Sequence, residues 1–194
     1  MTPDLKDKGS SIRMDLLYRL RWNLRADLHD VEITVGASNE EKLVILFDHS
    51  SADESLAVPG LSSLEVASAE CLDKRGNSYD DDEGSPNPES YRPPPSLLIE
   101  NEDGRAITLR QFVTEVHAYM NENIAEIKKA LRGQYTSSVD GMIFFRRVWA
   151  VGSDDGKIRL SVSLVPEMER TKMENLWAAH LQQARMHAKQ RGRQ

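Results

Sequence analysis

The stretch TLRQFVTEVHAYMNENIAEIKKALRG, residues 108–133, decides the fold of this chain. Thr108 and Gln111 form a capping-box pattern at its start, and Gly133 stands where a left-handed helix C′ residue is expected. Between them, apolar residues recur at the three- and four-residue spacing of one helix face: Leu109, Phe112, Val113, Val116, Met120, Ile124, Ile127 and Leu131. The stretch therefore predicts one amphipathic helix of about 36 Å, long enough to cross a sheet.

Strand patterns lie on both sides of this helix. Segments 31–35 and 42–48 are rich in β-branched residues, and the turn residues between them predict a hairpin. The all-apolar interior of 42–48 predicts a central place in the sheet. Segments 142–151 and 157–165 flank GSDDG and predict a second hairpin. A short strand is expected at 97–100.

The segment 16–25 has two interpretations. From Tyr18 onward apolar and polar residues alternate completely, which predicts a half-buried strand. A helical stripe is the alternative, although it places Trp22 off the apolar face; it would run through Ile12, Leu16, Leu20, Leu24 and Leu28. Segment 64–72 (LEVASAECL) fits neither a strand nor a helix well.

These elements predict an α+β fold, with a mostly antiparallel sheet of about six strands packed by the long helix and a C-terminal helix. Thr171 and Glu174 predict the cap of that second helix. We expect one domain over 12–184, a disordered N-terminus at 1–11 and a basic tail at 185–194. An acidic, proline-rich loop at 76–95 is predicted to be mobile within this domain.

Composition narrows the function class. The net charge of -6 and the 29% of charged residues predict a soluble protein and give no basic excess for nucleic acid. Cys71 is the only cysteine, so no intramolecular disulfide can form and a structural zinc site is not expected. No apolar run reaches the ~20 residues of a membrane span. We expect a cytoplasmic or nuclear protein without cofactor or metal.

Histidines and carboxylates stand at predicted strand ends. His29 follows the first strand, while Asp48 and His49 end the third. If the strands pair as a meander, these side chains could converge as acid/base groups, although polar residues at strand ends also simply face water. Arg146 and Arg147 interrupt the apolar segment 142–151, so one of them must point inward or mark a bulge.

Arg19, Arg21 and Arg25 would share one face of a strand over 16–25. Guanidinium groups in such a row suit a carboxylate, a phosphate or an acidic peptide. The acidic run at 80–83 of the same chain is a second possible partner, and a solvated sheet face is the plain alternative. His180, on the Trp177 side of the C-terminal helix, is predicted to be a half-buried core histidine.

Three pieces of the chain resemble a broad group of uncharacterised fungal proteins. They are WNLR at 22–25, PPPSLLI at 93–99, and AITL at 106–109 leading into the long helix. The group has a W-D-L-R element, a proline-led strand and an I-T-V block before a helix; Asn23 stands where the group has Asp. The resemblance implies a fungal origin and an α+β fold, and it implies no particular chemistry.

The sequence leaves two function classes open. The first is a non-enzymatic binding or protein-interaction module, with Arg19, Arg21 and Arg25 as the binding face for a protein or an anionic small molecule. The second is a small cofactor-free enzyme acting on a metabolite, with His49, Asp48, His29 and Arg146 around a pocket. A cavity lined by at least two of those four side chains would favour the enzyme.

Overall fold

A computed structural model describes residues 12–37, 40–77, 91–135, 138–151 and 158–192. Within these ranges the α-helices are α1 (Met14–Leu17), α2 (Ala69–Asn77), α3 (Leu109–Glu122), α4 (Ile124–Gln134) and α5 (Arg170–Arg191). The strands are β1 (Leu20–Arg21), β2 (Glu32–Val35), β3 (Lys42–Ile45), β4 (Ser63–Ser68), β5 (Leu97–Glu100), β6 (Ile143–Val151) and β7 (Arg159–Pro166). The predicted N-terminal disorder and most of the predicted acidic loop lie outside the described residues.

The strands form two sheets, so the prediction of one six-stranded sheet is wrong while the mixed α and β composition is confirmed. One sheet has the order β1-β2-β3 and the other the order β5-β4-β7-β6. The pairing of β4 with β7 is parallel, and the other described pairings are antiparallel. A parallel pair needs a long crossover, which here contains α2, β5, α3, α4 and β6 and which the hairpin patterns in the sequence did not reveal.

The N-terminal segment joins the two sheets, which explains the wrong prediction of a continuous strand from Tyr18 to Arg25. Only Leu20–Arg21 pairs with β2. The chain then pairs with β6 instead, because Leu24 donates to Ile143 O at 2.8 Å and Phe145 donates to Trp22 O at 2.9 Å. The alternation reflects burial correctly over this short stretch, since Leu20, Trp22 and Leu24 are buried.

The long helix begins as predicted and is interrupted near its middle. The Thr108 hydroxyl accepts a hydrogen bond from Gln111 N at 3.2 Å, which confirms the N-cap. The Gln111 side chain bonds Asn101 and Glu115 instead of returning to Thr108. At Asn123 the side-chain amide donates to Tyr119 O at 2.8 Å, and α3 ends there. Asparagine competes for backbone groups in this way, which explains the break.

The predicted end of this helix is also wrong in detail. Gly133 lies inside α4, which ends at Gln134, and it has no left-handed φ. The predicted apolar stripe is otherwise correct, because seven of its members are buried and Ile124 packs against the same core; the seven are Leu109, Phe112, Val113, Val116, Met120, Ile127 and Leu131.

Both predicted hairpin pairings are present. β2 and β3 are antiparallel, as predicted. However, β3 is an edge strand and its Leu43 is 37% exposed, so the central position predicted for the strand over 42–48 is wrong. β6 and β7 are antiparallel, with a register shift between Phe145 and Arg147, so a bulge is present, which was one of the two alternatives predicted there. The uncertain segment 64–72 divides into the end of β4 and the start of α2.

Helix α5 begins one residue before the predicted cap. Its N-cap position is Glu169, which makes no side-chain capping bond, so the Thr171–Glu174 capping box is wrong. Glu174 is instead bonded by Arg170 at 2.9 Å on the helix surface. The helix continues to Arg191 and so includes much of the predicted basic tail.

Candidate functional site

A groove of about 710 Å³ lies between the outer face of β6 and the first half of α5. Most of its lining is apolar, and charged side chains complete it. The apolar side chains are Met142, Phe144, Met168, Met173, Trp177, Ala178 and Leu181; the charged ones are Arg21, Glu167, Arg170 and Glu174. Its volume falls in the range of roughly 300–1,000 Å³ that is typical of ligand sites.

The floor of the groove exists because β6 is apolar on both faces. Ile143 and Phe145 point into the core and are buried, so Met142 and Phe144 point to the opposite face. Trp177 of α5 meets Phe144 edge to face, with ring centroids 5.9 Å apart. This aromatic contact fixes the distance between the floor and the helical wall.

Arg21 and Trp177 form a cation–π pair on one side of the groove. The Arg21 guanidinium carbon lies 4.4 Å from the centroid of the Trp177 ring. This cation–π contact is attractive, and it leaves guanidinium N–H donors of Arg21 for an acceptor in the groove. No described carboxylate forms an ion pair with Arg21, whereas Glu174 is occupied by Arg170.

Helix α5 is held in place by ion pairs at its far end. Asp15 is buried and forms ion pairs with Arg13 at 2.9 Å and with Arg191 at 2.9 Å. Arg185 bonds Glu41 at 2.7 Å. These pairs join the C-terminal half of α5 to α1 and to the start of β3, so the first half is left to form the wall of the groove.

His180 lies on the core-facing side of α5, next to the groove but not in its lining. It is 6% exposed and packs against the rings of Tyr18 and Phe145. Burial lowers the pKa of its imidazole, and a hydrogen bond to the Arg146 backbone acts in the opposite direction. Its Nδ1 has no hydrogen-bond partner among the described residues. The predicted core histidine is therefore more deeply buried than the sequence indicated.

A second buried group, Glu70, lies at the start of α2. Its carboxyl accepts hydrogen bonds from Ser68 Oγ at 3.0 Å, Ser163 Oγ at 2.8 Å and Leu164 N at 2.7 Å. Burial raises the pKa of Glu70, against the lowering effect of these bonds. Because it joins α2 to β7 with every donor satisfied, we assign it a structural role. Burial also raises the pKa of the neighbouring Cys71 thiol, which disfavours its thiolate.

The strand-end residues come near each other only in part. The rings of His29 and Phe47 are 5.5 Å apart, so the two ends are neighbours as the meander predicted. The His29 side chain is 79% exposed and bonded to Asp27. His49 Nδ1 accepts from Ser51 N at 3.1 Å and so caps a 3-10 turn, Ser50–Asp53. Asp48 is exposed.

Arg146, the fourth residue of the enzyme hypothesis, lies elsewhere. It is the bulge residue of β6 and donates to Tyr135 Oη at 3.0 Å. A smaller cavity of about 400 Å³ lies over β4 and β7, beside the ion pair between Glu65 and Arg159. Neither this cavity nor the groove is lined by Arg146, His29, Asp48 or His49.

The three arginines of the binding hypothesis are also separated. Arg19 donates to Thr34 O at 3.1 Å, and Arg25 is exposed beyond the end of β1. Arg21 alone of the three reaches the groove. The groove methionines and Trp177 were not predicted as site residues. Segment 142–151 carried a signal for Met142 and Phe144 alone, because successive apolar residues indicate a strand covered on both faces.

Within the described ranges, no group of three or more histidine, cysteine, aspartate or glutamate side chains is arranged to hold a metal ion. No described helix combines the length and the apolar character required to cross a bilayer. Comparison with known proteins gives no matching family model, no matching curated protein and no matching solved structure.

Proposed function

We propose that this chain is a non-enzymatic binding module, and that the groove between β6 and α5 takes an apolar segment of a partner protein. One observation carries the proposal: Met142 and Phe144 on the floor of the groove and Trp177 and Leu181 on its wall are large apolar side chains grouped at one surface, where Met142 is exposed and the other three are half-buried. Grouped apolar surface of this kind marks interaction sites, whereas isolated exposed apolar residues do not.

The residue types in the groove support a protein partner. Interface cores are enriched in aromatic residues, methionine and arginine, and they are depleted in lysine, glutamate, aspartate, serine and alanine. Seven of the eleven lining residues are of the enriched types, against two glutamates and one alanine of the depleted types. Charged residues stand beside an apolar centre, as in the polar rim of an interface. Methionine side chains also adapt to different surfaces, which suits a segment that binds along an open groove.

The enzyme alternative has no comparable support. General acid/base catalysis needs its groups within hydrogen-bond reach of one substrate position. His49 caps a turn, His29 is mostly exposed, and Arg146 bonds Tyr135, each in a different setting. No observation places these groups around one substrate position.

The proposal is tested by blocking the groove without disturbing the core. Ala178 is exposed and lines the groove, whereas its neighbour Ala179 is exposed and does not. Ala178→Arg would fill the groove, and Ala179→Arg is the matched control, because arginine is a good helix former at both positions. A displayed library of random 12-residue peptides is selected on the wild-type protein, and synthetic copies are titrated by fluorescence anisotropy.

We expect the selected peptides to bind the Ala178→Arg protein at least about tenfold more weakly than wild type, because lost burial of one anchor side chain costs about 1.4 kcal/mol or more. The Ala179→Arg protein should bind them with unchanged affinity. Selection of no peptide, or equal binding by both variants, would contradict the proposal.

A further inference from the structure

The groove carries two charges that the described part of the protein leaves without an opposite charge. Arg21 lies over the Trp177 ring and forms no ion pair with a described carboxylate, although Glu32 stands opposite it in the β1–β2 pairing. Glu167 lines the groove, is exposed, and forms no ion pair with a described cation. Arg170 and Glu174 neutralise each other at 2.9 Å.

These two charges lie at opposite ends of the apolar floor. The backbone N–H of Glu167 donates to Met142 O at 2.9 Å, which places Glu167 beside Met142. Asn23 pairs with Phe144 in an antiparallel bridge, so Arg21 lies beyond Phe144 in the direction away from Met142. At 3.3 Å per strand residue, this arrangement separates the two charged positions by roughly 10–13 Å along β6. Because the Arg21 segment and β7 pair with opposite edges of β6, two strand spacings add about 9.5 Å across the sheet.

Helix α5 gives an independent measure of the same separation. Arg170, which follows Glu167 closely in the chain, lies at the Glu167 end of the wall, and Trp177 lies beside Arg21. The interval between them is roughly two helical turns, or about 10 Å. Strand and helix therefore agree that the groove is negative at one end, positive at the other and apolar between.

We infer that the groove selects a partner segment with an acidic residue at the Arg21 end, apolar side chains in the middle and a basic residue at the Glu167 end. This inference rests on the proposed function, since it specifies which protein segment the same groove takes. Opposite charges placed at both ends fix the orientation of the segment, and a segment with two like charges meets repulsion at one end. A protein segment supplies both charges at this spacing.

The test uses the full chain and four fluorescein-labelled synthetic peptides with one apolar core of leucine, methionine and phenylalanine. The residues flanking the core are aspartate and lysine, two aspartates, two lysines, or asparagine and glutamine. We expect the aspartate–lysine peptide to bind about fivefold more tightly than the neutral peptide in 50 mM salt. This advantage should shrink in 500 mM salt, where exposed charges are screened. The two like-charged peptides should bind no more tightly than the neutral one.

Substitutions locate the effect on the protein. Arg21→Gln should remove the advantage given by the acidic flank, and Glu167→Gln should remove that given by the basic flank. Arg92→Gln and Glu102→Gln change the same charges at exposed positions outside the groove and should leave all four affinities unchanged.

The outcomes separate this inference from the proposed function. Equal binding of all four peptides overturns the charge selection and leaves the groove as a binding site. Tightest binding of the two-aspartate peptide overturns it in favour of a plain anion site. Binding of none of the peptides, or a dimer in light scattering that dissociates on Ala178→Arg, overturns both proposals, because the groove would then not take a segment of another protein.

Discussion

Trp177→Ala is the substitution that most directly connects packing with binding in this protein. Trp177 contacts Phe144 on the floor of the groove, with ring centroids 5.9 Å apart, and the Arg21 guanidinium carbon lies 4.4 Å from the centroid of its ring. Its removal deletes both contacts and opens the wall of α5 at its centre. Trp149 provides a matched control, because Arg147 lies 4.9 Å above its ring in the same kind of pair and Trp149 is not part of the groove lining.

The expected cost follows from the contacts. Truncating a fully buried tryptophan to alanine costs about 3–5 kcal/mol. Trp177 is partly exposed, so we expect about 2 kcal/mol, of which the edge contact contributes about 1 and the cation–π pair about 0.5. A domain of ordinary stability, about 5–15 kcal/mol, survives this loss and remains folded. For binding, loss of a central aromatic anchor costs about 2 kcal/mol, or roughly 30-fold in Kd.

Urea denaturation followed by far-UV circular dichroism measures the first quantity, and anisotropy with a library-selected peptide measures the second. We expect Trp177→Ala to lower both stability and affinity, while Trp149→Ala lowers stability alone. The reasoning is refuted if the folded Trp177→Ala protein binds the peptide with wild-type affinity, or if Trp149→Ala weakens binding equally.

The remaining predictions concern buried groups around the site, each measured by urea denaturation. Glu70→Ala should cost about 3 kcal/mol, because three donors lose their acceptor, whereas Glu70→Gln should stay within about 1 kcal/mol at pH 8. Since the pKa of folded Glu70 is raised, the stability of wild type should increase relative to that of Glu70→Gln as the pH falls towards the pKa of the unfolded carboxyl. Equal losses of stability in Glu70→Ala and Glu70→Gln would contradict this account. The lowered pKa of His180 has the opposite effect on the free energy of unfolding. Below about pH 6.5 the unfolded chain takes up the proton before the folded one, so wild type loses stability as the pH falls, and His180→Gln should lose less over the same range. A parallel decline of both proteins would exclude His180 as the source. Asp15→Asn should cost about 1.5–3 kcal/mol by weakening the bonds to Arg13 and Arg191, and an unchanged unfolding midpoint would show that these pairs do not hold α5.

The sequence predicted local structure correctly where a single pattern of neighbouring residues determines it. The apolar stripe from Leu109 to Leu131 and the Thr108 cap depend on neighbouring residues, and both are present. The bulge at Arg146 was predictable because two arginines cannot both fit an otherwise apolar strand. The break at Asn123 was not predictable. An asparagine within a helical pattern can either continue the helix or end it, and tertiary packing decides between the two.

Features that depend on distant segments were not predictable. The alternation of Leu20, Trp22 and Leu24 records burial but does not say that β2 pairs with one part of the segment and β6 with the next. For the same reason, Arg19, Arg21 and Arg25 looked like one row and are directed to three different settings. The groove lies between β6 and α5, which are separated in the chain by β7. The residue spacing in the sequence could therefore not predict which side chains line it.

The central claim is that apolar side chains between β6 and α5 bind a partner segment, and methyl NMR of ¹³C-methionine-labelled protein tests it most directly. Met142, Met168 and Met173 line the groove, whereas Met120 is fully buried in the core. Titration with the aspartate–lysine peptide should shift the three groove resonances together, with one Kd, and leave that of Met120 in place. Groove resonances that do not move at saturating peptide, or a shift at Met120 equal to theirs, would contradict the account.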